Sequence, residues 1–140
     1  MNAIPETLTP HEALLCAMLF MAASGAHIDD AELRRMTRLV RDLPAFAGVE
    51  AQEVEAATEA CLPLLAAADG LDRALDLIRD SLPMRLRETA YLLACDVAAA
   101  DGDATEEELV FLQQLRIALE IDRLVAGAIE RAARARYQII

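Results

Sequence analysis

Three carboxylates gather in one short turn of the sequence, at Asp101, Asp103 and Glu108. The turn follows an alanine-rich apolar run and contains Gly102, a residue type that adopts backbone angles other residues resist. Thr105 and Glu108 have the spacing of a Ser/Thr-x-x-Glu capping box, so a helix is expected to begin directly after the turn. Carboxylate oxygens are hard donors that suit Ca²⁺ or Mg²⁺ better than Zn²⁺. The pattern therefore predicts a candidate site for a divalent cation.

The spacing fits only half of an EF-hand loop, in which oxygen ligands occupy positions one, three, five, seven, nine and twelve. With Gly102 at position six, Val97 and Ala99 stand at positions one and three and offer no side-chain oxygen. We therefore expect weak binding, with Asp96 as the candidate fourth ligand. Two alternatives stay open: the acids of the turn also suit a solvated helix start, and Asp96 also suits a salt bridge to a nearby arginine.

The run Leu93–Gly102, followed by the acidic cap that ends at Glu108 and Leu109, resembles the second signature of the TerB-like tellurite-resistance family. The resemblance covers roughly residues 10–137, which is nearly the whole chain. It implies an all-helical domain with two pseudo-repeated units of helix, acidic turn and helix. It also implies a non-enzymatic role in bacterial resistance or stress response. The resemblance further implies a divalent cation at the acidic turns. It also implies a protein partner, in a complex or at the inner face of the membrane.

An internal repeat agrees with two such units. When the sequence is shifted by 76 positions, the matching pairs are Ala22 with Ala98, Ala23 with Ala99, Glu32 with Glu108, Leu33 with Leu109, Leu39 with Leu115 and Leu43 with Leu119. The first turn has lost the Asp-Gly pair, because Gly25 stands opposite Asp101 and His27 opposite Asp103. We therefore expect a cation at the second turn. His27 could donate to a cation site or cap locally, and we expect the local cap.

Apolar periodicity predicts a single all-α domain at residues 10–140, after a short lead at residues 1–9. Helices one and five are apolar on nearly every side, so both are expected at the centre of the bundle. Pro63 predicts a kink or an early break in helix three, and Gly70 with Asp72 predicts a helix end followed by a new cap. The seven helices are predicted at residues 10–23, 30–43, from about 50, 72–82, 83–100, 106–119 and 123–136. The predicted caps of helices one, two, six and seven are Thr9, Asp29, Thr105 and Asp122. The predicted buried stripe of helix six is Leu109, Leu112, Leu115 and Leu119.

Charge and histidine content exclude two classes of function. The formal net charge is −11, whereas nucleic-acid binding needs a clustered positive surface, so no nucleic-acid partner is expected. His11 and His27 are the only histidines, and neither belongs to a known nucleophile motif or accompanies a glycine-rich phosphate loop. An enzyme is therefore not expected.

The cysteines and the apolar runs indicate in which cellular compartment the protein is expected. Cys16, Cys61 and Cys95 are far apart in apolar stretches and are expected to be buried thiols in a reducing environment. The apolar run Ala13–Gly25 is shorter than the roughly 20 residues that a membrane-spanning helix needs. No signal peptide is recognisable at the start of the sequence, so a cytoplasmic protein is expected.

Overall fold

The computed structural model describes residues 3–25 and 28–140. Within these two ranges the chain forms seven α-helices and no strand. The helices are α1 (Pro10–Gly25), α2 (Asp30–Val40), α3 (Ala51–Ala66), α4 (Gly70–Ser81), α5 (Arg87–Ala100), α6 (Glu106–Ala118) and α7 (Arg123–Arg136). Two short 3₁₀ helices, Pro44–Phe46 and Met84–Leu86, precede α3 and α5. The predicted all-α bundle is confirmed, and the pseudo-twofold relation between its two units stays a prediction.

The centre of the bundle is α1, because its side chains are apolar all around the helix. Every residue from Ala13 to Ala22 is buried, and α1 packs against α2, α3, α4, α5 and α6. The second central helix is α5, which packs against α1, α2, α6 and α7 and buries the continuous stretch Leu93–Ala98. The predicted central positions of helices one and five are therefore confirmed. None of the described helices combines the length and the apolarity needed to cross a membrane.

Side-chain caps fix where four of the helices begin. The predicted caps were Thr9, Asp29, Thr105 and Asp122, and each of these side chains accepts a hydrogen bond from a backbone N–H in the first turn of the helix that follows. An N-terminal cap satisfies a donor that the helix itself cannot pair, and it stabilises a protein by about 1 kcal/mol. These four helix starts are thus determined by local sequence.

The junction between α3 and α4 differs from the prediction. α3 continues through Pro63 to Ala66, so the proline does not end the helix. α4 begins at Gly70, and Asp72 therefore lies within its first turn instead of capping it. A Cβ atom on Gly70 would lie 1.7 Å from the carbonyl oxygen of Leu64. The glycine is needed because two backbone segments approach each other closely at this position.

The buried side of α6 begins at Glu108 instead of Leu109. Its buried residues are Glu108, Phe111, Leu112 and Leu115. They follow the i, i+3, i+4, i+7 spacing of one helix face. The predicted stripe is wrong at Leu109, which is 55% exposed, because the capping box holds Glu108 on the inner side. As a result, Leu109, Val110 and Ile117 lie on the exposed side of α6.

Candidate functional site at the acidic turns

Arg35 joins the two acidic turns. It lies on α2, and its Nη1 donates a hydrogen bond of 2.5 Å to Oδ1 of Asp101, at the end of α5. Its Nη2 donates to Oε1 of Glu32, one turn earlier on α2. One guanidinium therefore binds a carboxylate from each of the two predicted units.

The position of Asp101 explains why a positively charged side chain beside it is favourable. Asp101 is the C-terminal cap residue of α5, where the negative end of the helix dipole disfavours a carboxylate. The hydrogen bond to Asp101, together with that to Glu32, raises the pKa of Arg35 even though partial burial opposes the charged form. The guanidinium thus acts as a permanent positive charge between the two turns.

Glu108 connects the start of α6 to the end of α1. Its Oε1 accepts a hydrogen bond of 2.9 Å from the backbone N–H of Thr105, whose Oγ1 accepts one of 3.2 Å from the backbone N–H of Glu108. The Glu108 side chain is buried against Gly25, where an added Cβ would lie only 2.8 Å from Cδ of Glu108. The predicted capping box is confirmed, and Gly25 provides the space in which its carboxylate lies.

Asp96 pairs with an arginine, which is the alternative to a role as a metal ligand. The Asp96 carboxylate is buried on α5, and its Oδ1 lies 3.7 Å from Nε of Arg136. That oxygen has no hydrogen-bond partner among the described residues. Burial raises the pKa of Asp96, and the nearby Arg136 lowers it by less.

We expect Asp96→Asn to increase the free energy of unfolding at pH 7. Because the pKa of Asp96 is higher in the folded state than the ordinary value of 3.8, the ionised carboxylate destabilises the fold at every pH above the folded-state pKa. As the pH falls through the folded-state pKa towards 3.8, the wild-type residue takes up a proton and the penalty disappears. Urea unfolding of both proteins at pH 7 and pH 4 measures the difference, which should shrink at the lower pH.

Arg136→Gln serves as the second variant in this comparison. Without Arg136, the pKa of Asp96 should rise further, so this variant should lose more stability at pH 7 than at pH 4. If Asp96→Asn instead lowers stability at pH 7, the ion pair outweighs the cost of burial and the pH argument is wrong.

Asp103 is in a different environment from the other three predicted ligands. It is exposed and lines a cavity of about 370 Å³ bordered by α5, α6 and α7. Cys95, Leu109, Arg134 and Tyr137 are among the residues that line it. The cavity thus opens beside the second acidic turn.

The described side chains do not form a ready metal centre. Asp96 and Asp101 each pair with an arginine, Glu108 belongs to the capping box, and Asp103 lines the cavity. Within residues 3–25 and 28–140, no group of three or more His, Cys, Asp or Glu side chains is arranged to hold a metal ion. The assignment of these four residues as ligands stays a prediction. The prediction for His27 lies outside the described residues.

Sequence reasoning missed Arg35 and Gly25 as parts of the site. The repeat contained a signal for Gly25, since Glu32 aligns with Glu108 and Gly25 aligns with Asp101. It contained none for Arg35, which aligns with Phe111. In the structure the contacts cross between units: Glu108 packs on Gly25, and Glu32 reaches Asp101 through Arg35. These crossed contacts are compatible with the pseudo-twofold relation of the two units, which stays a prediction.

Comparison with known proteins agrees with this architecture. The family model described as tellurite resistance protein TerB matches residues 11–131. No curated protein and no solved structure matches the chain. The family match covers most of the 140 residues and includes six of the seven helices in full or nearly so, together with both acidic turns. The chain therefore belongs to the TerB family of tellurite resistance proteins.

Proposed function

We propose that this chain is a non-enzymatic module of tellurite resistance or stress response that acts in the cytoplasm, and that its acidic turns respond to a hard divalent cation. The observation that carries the proposal is the convergence of Glu32 and Asp101, one from each turn, on the guanidinium of Arg35. Two carboxylates that share one cation repel each other once that cation leaves. Arg35 is therefore a built-in counter-ion with which Ca²⁺ or Mg²⁺ would compete.

The residues that would hold the ion are Asp101, Asp103 and Glu108, with Asp96 as the fourth. Their fit is partial, because an oxygen of Asp101 already binds Arg35 and an oxygen of Glu108 already accepts from the capping backbone. A carboxylate has several lone-pair sites, so each of these groups retains acceptor capacity. Weak, competitive binding is the expected consequence.

Thermal unfolding tests the proposal. We expect Ca²⁺ or Mg²⁺ to raise the Tm of the wild-type protein relative to EDTA, at matched ionic strength. At an ion concentration about ten times the dissociation constant, linkage gives roughly 1.4 kcal/mol of stabilisation. For a chain of this size that energy corresponds to a Tm increase of roughly 4 °C. The increase should begin at lower ion concentration in Arg35→Gln, because Asp101 then has no internal counter-ion.

The matched control is Asp101→Asn combined with Glu108→Gln, which keeps the shapes of both side chains and removes their charges. A glutamine at the third position of the helix still completes a capping box, so α6 should keep its start. The control should lose the ion-dependent Tm increase. If neither the wild type nor Arg35→Gln responds to millimolar ions, the turn has no metal role.

A helical scaffold or protein-interaction domain without a metal role is the second candidate. It is favoured by Arg35 itself, which already pairs with both Glu32 and Asp101. Both candidates are non-enzymatic. A protein partner is also part of both, and the exposed apolar side chains of α6 support it.

A further inference from the structure

An apolar groove runs between α4 and α6, and neither Arg35 nor its partners Glu32 and Asp101 line it. Two adjoining cavities of about 330 and 420 Å³ form it, and Gln114 lines both. The larger apolar side chains that line it are Leu71, Leu75, Val110, Phe111 and Ile117. Val110 and Ile117 are each 57% exposed, although both are large apolar side chains. They are two helical turns apart, about 10.5 Å along the axis of α6. This spacing matches the i, i+7 anchors of a helix that binds in a groove.

The rim of the groove is acidic. Asp72 and Asp76 line it from α4, and Glu106 and Glu107 line it from α6. Among the described residues, Arg79 is the one basic residue that lines either cavity. Its guanidinium lies 3.0 Å from Asp80 and 3.5 Å from Asp76, so acids of its own helix already balance its charge. A ligand in the groove therefore meets apolar side chains flanked by negative charge.

We propose that this groove binds an amphipathic helix of a partner protein, with an apolar stripe flanked by arginine or lysine. The charge on the rim complements a basic helix. A second copy of this chain is disfavoured as the occupant, since each copy carries a net charge of −11 and the rims would repel each other. An anionic lipid surface would be repelled in the same way. The inference rests on the proposed function only in requiring a protein partner.

A synthetic peptide of known sequence tests the groove directly. The probe is a fluorescein-labelled helix of 15 to 18 residues with leucines at i, i+4, i+7 and i+11, and with arginines on both flanks. Fluorescence anisotropy gives its dissociation constant for the full chain in the presence of EDTA. We expect a peptide of identical composition, with the leucines shuffled off one face, to bind at least about tenfold more weakly.

Matched protein variants locate the binding surface. Val110→Ser with Ile117→Ser should weaken binding of the probe at least about tenfold, because the two exposed anchors are lost. The control is Leu109→Ser with Leu124→Ser, which removes two exposed apolar side chains that do not line the groove. It should change the dissociation constant less than about twofold. Circular dichroism melting of each variant verifies that the fold is kept.

Three results would overturn this proposal. The first is equal binding of the ordered and shuffled peptides, which would mean that the rim only attracts positive charge. The second is unchanged binding by the Val110 and Ile117 variant. The third is a dimer in sedimentation equilibrium that this variant dissociates, since the occupant would then be a second copy. None of these results depends on added ions, so failure of the groove and failure of the cation response are distinguishable.

Discussion

Gly70→Ala should destabilise the domain by about 4 kcal/mol or more, the range of exceptional single substitutions. The new Cβ would lie 1.7 Å from the carbonyl oxygen of Leu64 and 2.9 Å from its carbonyl carbon. Both atoms belong to the backbone, so no side-chain rotation can relieve the overlap. The α3–α4 junction would have to open, although both helices pack against α1. Urea unfolding followed by circular dichroism measures the loss.

Gly127→Ala is the matched control for Gly70→Ala. Gly127 lies inside α7, and a Cβ added there meets nothing within 4 Å. Alanine is a better helix former than glycine, so this substitution should raise the free energy of unfolding by about 1 kcal/mol. The same substitution is thus expected to lower the free energy of unfolding at Gly70 and to raise it at Gly127. A stable Gly70→Ala protein would show that the close approach of the α3–α4 junction is wrong.

Leu14→Ala and Leu19→Ala should each cost about 3 kcal/mol. The two side chains lie about 140° apart around the axis of α1, yet both are completely buried. On an ordinary amphipathic helix, one of two positions so far apart would face solvent and tolerate the change. Equal and large losses at both positions are therefore the signature of a helix surrounded by the rest of the domain. Chemical denaturation of each single variant gives the two values.

Leu124→Ala is the reference for these core substitutions. Leu124 is 84% exposed in the first turn of α7, so its truncation should change stability by less than about 0.5 kcal/mol. If Leu14→Ala or Leu19→Ala behaves like this surface variant, the central position of α1 is wrong.

Much of the fold could be predicted because its causes are local. A cap such as Thr105 and its target N–H lie within one helical turn, so their spacing is visible in the sequence. The all-round apolar character of α1 is likewise a property of one continuous stretch. The face of α6 that is buried was not predictable in this way. Leu109, Val110, Phe111 and Leu112 are all apolar, so periodicity cannot show which of them face the core. The buried Glu108 decides it, and a charged residue is not counted in an apolar stripe.

The candidate site was predictable only in part, because its contacts are long-range. The residues of the second acidic turn were found from their types and spacing. Their partners were not, since Arg35 is 66 positions away from Asp101 in sequence. No local pattern distinguishes Arg35 from the exposed Arg34 beside it. Only the packing of α2 near the end of α5 makes one of them the counter-ion.

Burial limits the reactivity of the cysteines. Cys16, Cys61 and Cys95 are all buried free thiols. The neighbouring Cys61 thiol and burial raise the pKa of Cys16, and burial raises the pKa of Cys95 to about 12. The thiolate is the species that oxidants and soft metal compounds attack, and these two groups hold their protons at neutral pH. In the folded domain, Cys16 and Cys95 are therefore poor nucleophiles.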